Sequence, residues 1–557
     1  MQHFQDTAPG YEMPLARRRL TRAGAAFIGL HVVTWLAALA QGFIDSDYDN
    51  LICTAFVLCS ASLTFLYVRL TRALRDLPFS TVAVLGLCVT TQWGALIGQS
   101  ALGDSLTANL RVPLQTFGYL FGFQMVAIAA HWVTRHFAFF AAARRAVSEG
   151  LLRPLGIFQV PPVQAMWAIG CVGLLAVFAA QGSEGGLLGK IAAGFGVLAW
   201  APFVIPILAM RHGAAYCRMA RQVPLLALFG GLAVLMGLAF NFRSVMLVGA
   251  MTGALLYALV VLDDNRPFEL RQVRNLAILA VAGALLYQPV SYFLTAFQVA
   301  REQRDKISKV EMIAHTIEVL KNPAAIRREN DRMVIDAEVS AYDEFYFKSS
   351  MLGRLVETKF HDNAFYMVQG TSPLESRLIA EDALDRVYAI LPYPVLRWMG
   401  MGRAKFVTLY SVGDYLAYLR LGGDIGQFRT GSMFAQAIAI FGIWTPFLYF
   451  LLCLPVFMVW DVLSRSGGAG TRAVTSVIGM LLIYRLFAFG IVTESIGNIA
   501  GLLLRFQLQT VLLYALVFAA TRLLWKPFEP NLVRPGDPAT SVGMKTSKPA
   551  FRRPLAR

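Results

Sequence analysis

The feature that most constrains this chain is a series of apolar blocks, each about 20 residues long, separated by polar connections. A bilayer core of about 30 Å takes roughly 20 apolar residues per helix, and a helix satisfies its own backbone groups without water. Such blocks fall near 22-44, 50-68, 78-98, 112-133, 161-181, 190-210, 223-242, 244-262, 275-297, 436-460, 473-491 and 504-523. Hydrophobic residues make up 57% of the 557 positions and charged residues only 15%, against roughly 25% charged in soluble domains. The expected fold is therefore all-α, a polytopic integral membrane protein of about 12 transmembrane helices.

A net charge of +16 invites a nucleic-acid reading, but the placement of the basic residues argues against nucleic acid. They stand beside alternate span ends: Arg17, Arg18, Arg19 and Arg22 before the first, then Arg69, Arg72 and Arg75, Arg135, Arg144 and Arg145, Arg211, Arg218 and Arg221, Arg266, Arg271 and Arg274, Arg465 and Arg472, and Lys526 after the last. The short connections on the other side, such as Asp45-Ser-Asp-Tyr-Asp49 and Gly182-Ser-Glu-Gly-Gly186, are acidic or neutral. Basic junctions mark the cytoplasmic side. Both termini are then expected in the cytoplasm of a bacterial inner membrane, with residues 1-21 as a cytoplasmic lead and 524-557 as a basic, disordered cytoplasmic tail. The first apolar stretch is long and lacks a small-residue cleavage site, unlike a signal peptide. Five of the six cysteines fall inside predicted spans and none in the large loop, so no disulfide framework or zinc spacing is expected.

Between the ninth and tenth spans lies the one segment able to form a soluble-type domain, 298-435, rich in charge but balanced. The alternation of sides places it in the periplasm, since long loops cross regardless of charge. Ile307, Val310, Ile313, Ile317 and Leu320 recur at helical spacing before Pro323, and Leu378, Ala380, Ala383, Leu384 and Val387 before Pro392. A mostly helical cap on the outer membrane surface is expected, with Leu391-Pro-Tyr-Pro-Val-Leu-Arg-Trp-Met399 as an interfacial stretch.

A charge inside hydrocarbon costs a few kcal/mol, so such a residue marks a candidate site. Arg243 sits in the turn before the eighth span, Arg485 in the middle of Leu481-Leu-Ile-Tyr-Arg-Leu-Phe487, and Glu494 and Arg505 flank the short segment Ile491–Ala500. Guanidinium groups around a cleft hold phosphate oxygens bidentately. The bland alternatives are snorkelling of Arg243 and Arg505 to the interface, a structural pair between Arg485 and Glu494, or an ion pathway. In the loop, Arg420 and Arg429 stand among four glycines, whose backbone NH groups are free to approach a polar ligand, or simply to bend. Arg403 and Lys405 follow Met399-Gly-Met-Gly402. His361 and His315 are the outer-side histidines; either can act as a base near neutral pH, though a lone surface histidine is usually inert. Spacing singles out no pair among Asp336, Glu338, Asp343, Glu344 and Asp362. No metal site or cofactor motif emerges.

The turn Phe242-Arg-Ser-Val245, the single large outer loop, and its exit through Thr430-Gly-Ser-Met-Phe-Ala-Gln-Ala-Ile-Ala-Ile-Phe-Gly442 resemble the bacterial O-antigen and exopolysaccharide repeat-unit polymerases (the Wzy type) and the related O-antigen ligases. The resemblance covers residues 223 to 460 in pattern and the whole chain in topology. That family has an acidic residue in the segment corresponding to Ala435–Gly442, where this chain has Gln436. It implies polymerisation of undecaprenyl-diphosphate-linked oligosaccharide repeats at the periplasmic face, without a metal or other cofactor. Arg243 and Arg485 would act on the leaving diphosphate, and His361 or a carboxylate would take the acceptor proton. Arg505, Arg420, Arg429, Arg403, Lys405 and Glu494 would bind substrate. A flippase and a chain-length regulator are the implied partners, alongside membrane lipids. Two other classes remain open: a 12-helix secondary transporter, and a polyprenyl-phosphate-sugar glycosyltransferase using Asp45, Asp47 or Asp49.

The charge pattern predicts that reporter fusions after Arg75, Arg145, Arg221 and Arg274 read cytoplasmic and a fusion at Lys348 reads periplasmic. A cytoplasmic signal at Lys348 overturns the topology.

Overall fold

Ten helices among the described residues are long and apolar enough to cross a membrane, which makes this a multi-pass membrane protein. They are α1 (Arg22–Ile44), α2 (Tyr48–Thr71), α3 (Pro78–Leu102), α4 (Pro113–His136), α5 (Val163–Ala180), α6 (Gly196–Ala215), α7 (Met219–Phe240), α8 (Val245–Leu262), α9 (Met433–Asp461) and α10 (Ile496–Arg522). The computed structural model describes residues 20–182, 192, 194–241, 243–303, 306–329, 331, 343–347, 353, 355–466 and 472–529. Large apolar side chains such as Phe43, Leu175, Leu228 and Leu516 stand exposed along these helices, as lipid contact permits. Among the described residues the only sheet is a two-residue antiparallel hairpin pairing Ser464–Arg465 with Val474–Thr475.

Two of the twelve sequence windows are not among the ten. The window 275-297 lies within a helix, Leu270–Ala300, several of whose side chains fall outside the described residues. The window 473-491 is not one continuous helix: it begins in the hairpin and continues as two short helices, Val477–Leu481 and Ile483–Phe489. It can be irregular because it is sheltered by protein; Val477 through Ile483 are all buried, and buried backbone finds partners that lipid cannot give.

The partner of this broken helix is the first half of α3, Pro78–Cys88, every residue of which is buried. Pro78 opens α3 at a position where its missing NH matters least. Glycine sets the approach. A Cβ on Gly86 would sit 1.9 Å from the Phe487 carbonyl oxygen, one on Gly479 would meet the Phe79 ring at 2.2 Å, and one on Gly490 the Ala83 Cβ at 2.8 Å. Small residues at such crossings let two helices pack backbone to backbone.

Halfway along, α3 widens into a π-turn at Val89–Trp93. Such a turn alters the local hydrogen-bond ladder, and here the carbonyls of Thr90 and Thr91 accept from the Glu357 NH (2.7 Å) and the Thr358 hydroxyl (2.7 Å). The segment between α8 and α9 is thereby seated on the membrane helices. It is helical, as its periodicity implied, with Lys309–Leu320, Thr358–Val368, Pro373–Tyr388 and Val412–Leu421. Ser308 with Glu311, Ser372 with Glu375, and Ser411 with Asp414 form capping boxes at three of these starts.

Gly86→Ala should lower the thermal unfolding midpoint in detergent, since overpacking against backbone costs about 1–3 kcal/mol. Gly29→Ala, where no atom lies within 4 Å of the new Cβ, should leave it unchanged; equal behaviour of the two variants would refute the close-approach argument.

Candidate functional site

A cavity of about 790 Å³ opens where the helical segment meets the broken helix and α10. Arg386, Thr408, Tyr410 and Phe428 line it from the segment side; Arg485, Phe489 and Glu494 come from the broken helix and the turn after it; Asn498, Arg505, Phe506 and Gln509 come from α10. Local structure explains the presentation. After Phe489 the chain stays non-helical to Ser495, which caps the start of α10 by accepting from the Asn498 NH at 3.1 Å. Gln436 on α9 holds the same turn, its Oε1 accepting from the Ile496 NH at 2.9 Å. Arg505 lies in another π-turn, Leu502–Phe506.

Arg485 and Arg505 are both exposed. The Arg485 guanidinium lies over the Phe506 ring, 3.7 Å from its centroid, a contact that steadies the cation without neutralising it. Arg505 Nε donates to Gln509 Oε1 at 3.4 Å. No ion pair within 4.0 Å joins Arg485 to Glu494 among the described residues, so they do not form the structural pair that their closeness in sequence allows. Arg386, in contrast, is committed. It grips Asp382 with two bonds of 2.7 and 3.2 Å, and donates to the Tyr410 carbonyl at 3.2 Å. Tyr410 OH closes the unit on Asp382 at 3.1 Å.

Three of the residues singled out in the sequence, Arg485, Glu494 and Arg505, thus come together. Arg243 opens its helix, but its side chain lies outside the described residues. The glycine-rich loop holds an anion, but an internal one. The NH groups of Gly426, Phe428 and Arg429 donate to the buried Asp414 carboxylate at 3.3, 2.7 and 3.1 Å. Arg429 adds a 3.7 Å ion pair to Asp414 and a bond to the Asp424 carbonyl. Arg420 donates to the Gln369 carbonyl and Lys405 to the Ala389 carbonyl, while Arg403 is exposed; none of the four lines the cavity.

His361 is buried on Thr358–Val368, away from the cavity lining. Its Nδ1 meets Ser432 Oγ at 2.7 Å, its ring packs on Phe365 and Phe434, and Nε2 has no partner. Burial pushes it down from 6.5 to about 4. Asp343 and Asp362 are taken up by Lys359, Glu344 accepts from the Thr430 NH at 2.9 Å, and Asp336 and Glu338 lie outside the described residues. Asp45 and Asp47 bond the NH groups of Asp47 and Asp49 and so build the start of α2. Sequence reasoning passed over Arg386, which reads as one more charge on an amphipathic helix. Its i,i+4 partner Asp382 is the signal that was there to find. Among the described residues, no group of three or more His, Cys, Asp or Glu is placed to hold a metal ion.

Comparison of the chain with protein-family models, with curated proteins and with solved structures finds no match in any of the three.

The histidine gives a pH prediction. Its folded pKa of about 4 lies below the ordinary 6.5, so its stabilising share is complete above the unfolded value and is lost as pH falls through the folded one. Between pH 7 and 5, wild type should lose about 2 kcal/mol more stability than His361→Gln, by proton linkage. Parallel pH dependence of the two thermal midpoints would exclude a buried neutral imidazole.

Proposed function

We propose that this protein is a glycosyltransferase of the bacterial inner membrane that polymerises undecaprenyl-diphosphate-linked oligosaccharide repeats at the periplasmic face. In this reading the chain crosses the membrane 12 times as the sequence windows indicate, with both termini cytoplasmic and residues 298-435 outside. The observation that carries the proposal is the pairing of Arg485 and Arg505, both exposed, in one open cavity between membrane helices and the helical segment. A diphosphate on a polyprenyl tail stays in the bilayer, so its site must lie where membrane and water meet. Arginine is suited to the task, since it stays charged when partly desolvated and offers a planar fork to phosphate oxygens. Phe428, Phe489 and Phe506 supply apolar walls, and the hydroxyl and amide groups of Thr408, Asn498 and Gln509 supply hydrogen-bonding partners for sugar.

The nonreducing-end hydroxyl of one lipid-linked unit would attack the anomeric carbon of another chain and release undecaprenyl diphosphate. Negative charge grows on the leaving diphosphate, and Arg485 and Arg505 are positioned to stabilise it. A flippase delivering the repeats and a chain-length regulator are the partners this reading requires. A ligase transferring the finished glycan to a lipid acceptor would use the same site. The glycosyltransferase alternative built on Asp45, Asp47 and Asp49 is weaker, because the first two serve to start α2. A secondary transporter is less favoured, as the long loop divides the spans unevenly and no internal repeat is evident.

In a deletion strain, Arg485→Ala or Arg505→Ala should abolish long surface glycan and leave single repeats on the lipid carrier, a loss of about 10²- to 10³-fold per donor by analogy with oxyanion sites. Lysine at either position should give short chains, since it keeps the charge and loses the fork. Gels of surface glycan read the outcome; normal ladders from both alanine variants would sink the arginine mechanism.

A further inference from the structure

Sequence alone left the acceptor base open, with too many loop carboxylates to choose among. The cavity lining reduces the choice: Glu494 is the one carboxylate among the described residues that form its wall. Resting on the glycosyl-transfer reading above, we propose that Glu494 is the catalytic base, taking the proton from the attacking sugar hydroxyl while Arg485 and Arg505 receive the diphosphate. The step balances. The acceptor oxygen bonds to the anomeric carbon, the bond from that carbon to the diphosphate oxygen breaks with its electron pair leaving on the diphosphate, and the hydroxyl proton passes to the Glu494 carboxylate.

Three features place Glu494 for this role. It sits in the non-helical turn between Phe489 and Ser495, fixed on both sides. The Thr493 carbonyl accepts from the Met433 NH at 3.0 Å, and Gln436 holds the Ile496 NH. It is exposed, so a hydroxyl can reach it. Its surroundings also suit a base of useful strength. The enclosing protein raises its pKa first, the charge of Glu344 raises it further, and Arg386 pulls the other way. Glu357 is pushed up to about 8 by burial and by the charge of Glu494, so Glu357 holds its proton at neutral pH. The charges that act with Glu494 are therefore Glu344, Glu357 and Arg386, and Arg386, Tyr410, Arg485 and Arg505 share its cavity wall. A carboxylate raised toward neutrality removes a hydroxyl proton more effectively than one at its ordinary value, provided it is ionised.

The test uses full-length protein in phospholipid vesicles and, as substrate, the lipid-linked single repeats extracted from the deletion strain. Elongation is followed from pH 5.5 to 8.5 for wild type, Glu494→Gln, Glu494→Asp and Arg485→Ala, each checked for wild-type elution on size exclusion. Wild-type elongation should fall as pH drops through the raised carboxyl range. Glu494→Gln should be slower by about 10²- to 10⁴-fold, the usual worth of a general base, and should lose that acid limb. Glu494→Asp should recover part of the rate and keep the limb, which a merely structural role would not do. If Glu494→Gln elongates like wild type while Arg485→Ala does not, the base assignment is overturned and the glycosyl-transfer reading stands. If wild type itself leaves the repeats unextended, it is the reading of function that fails. Should Glu494→Gln not elute as folded protein, the aspartate variant decides, and an unchanged rate and pH profile there overturns the proposal.

Discussion

Lys359 is buried between two carboxylates, and the seating of the helical segment between α8 and α9 depends on that knot. Its Nζ lies 3.3 Å from Asp343 and 3.7 Å from Asp362, and also donates to the Asn109 carbonyl. Asp362 in turn accepts from the Arg111 and Val112 NH groups at 2.7 and 2.9 Å and from Thr116 Oγ1 at 3.1 Å. It therefore lies at the N-terminus of α4, where unpaired NH groups and the helix dipole favour an anion. Removing one member of such a buried pair strands the other, at about 3–5 kcal/mol. With helix Thr358–Val368 pinned this way, His361 is carried to Ser432 at the start of α9, and Glu357 to the π-turn of α3.

The same physics explains why the membrane part tolerates irregular backbone beside the cavity. The broken helix 477–489 would be untenable against lipid. Glycine contacts at Gly86, Gly479 and Gly490 bring it into the protein interior, where its groups find protein partners. Tyr449 OH donates to the Ile491 carbonyl at 3.2 Å and Trp460 Nε1 to the Gly490 carbonyl at 3.3 Å, so the turn leading to Glu494 is held by α9. Two of the three π-turns among the described residues, one under the docked segment and one carrying Arg505, occur where the helices must offer something other than a regular ladder.

How much of this was legible in the sequence follows from the range of the interactions. Ten spans could be read because apolar length is a local property, whereas the break within 473-491 could not, because an apolar stretch buried in protein looks the same as one facing lipid. Arg485, Glu494 and Arg505 stood out because a charge among apolar residues is costly and so conspicuous. The glycine-rich loop was read as a place where NH groups approach a polar ligand, or as a simple bend, and its NH groups do converge on an anion. What the spacing could not reveal is that Asp414, in the first turn of the helix Val412–Leu421 that precedes the loop, supplies that anion. Arg386 was hidden for the opposite reason: its helix looks like any solvated helix until its Gly497 contact, 2.6 Å from a built Cβ, brings it against α10.

The arginines sort themselves by what already occupies them. Arg386 and Arg429 have carboxylates, and Arg420 has a backbone carbonyl. Arg485 and Arg505 contact a ring and an amide, neither of which balances their charge. An arginine in an otherwise apolar helix is costly, and α10 and the broken helix each retain one, facing the same opening. Had these two served only to hold the fold together, a carboxylate partner would be the expected solution, as it is for Arg386 four residues from Asp382. The nearest candidate, Glu494, shares their cavity without pairing to Arg485. An anion that comes and goes would satisfy both guanidinium groups while leaving that carboxylate available, which is the arrangement the proposed glycosyl transfer requires.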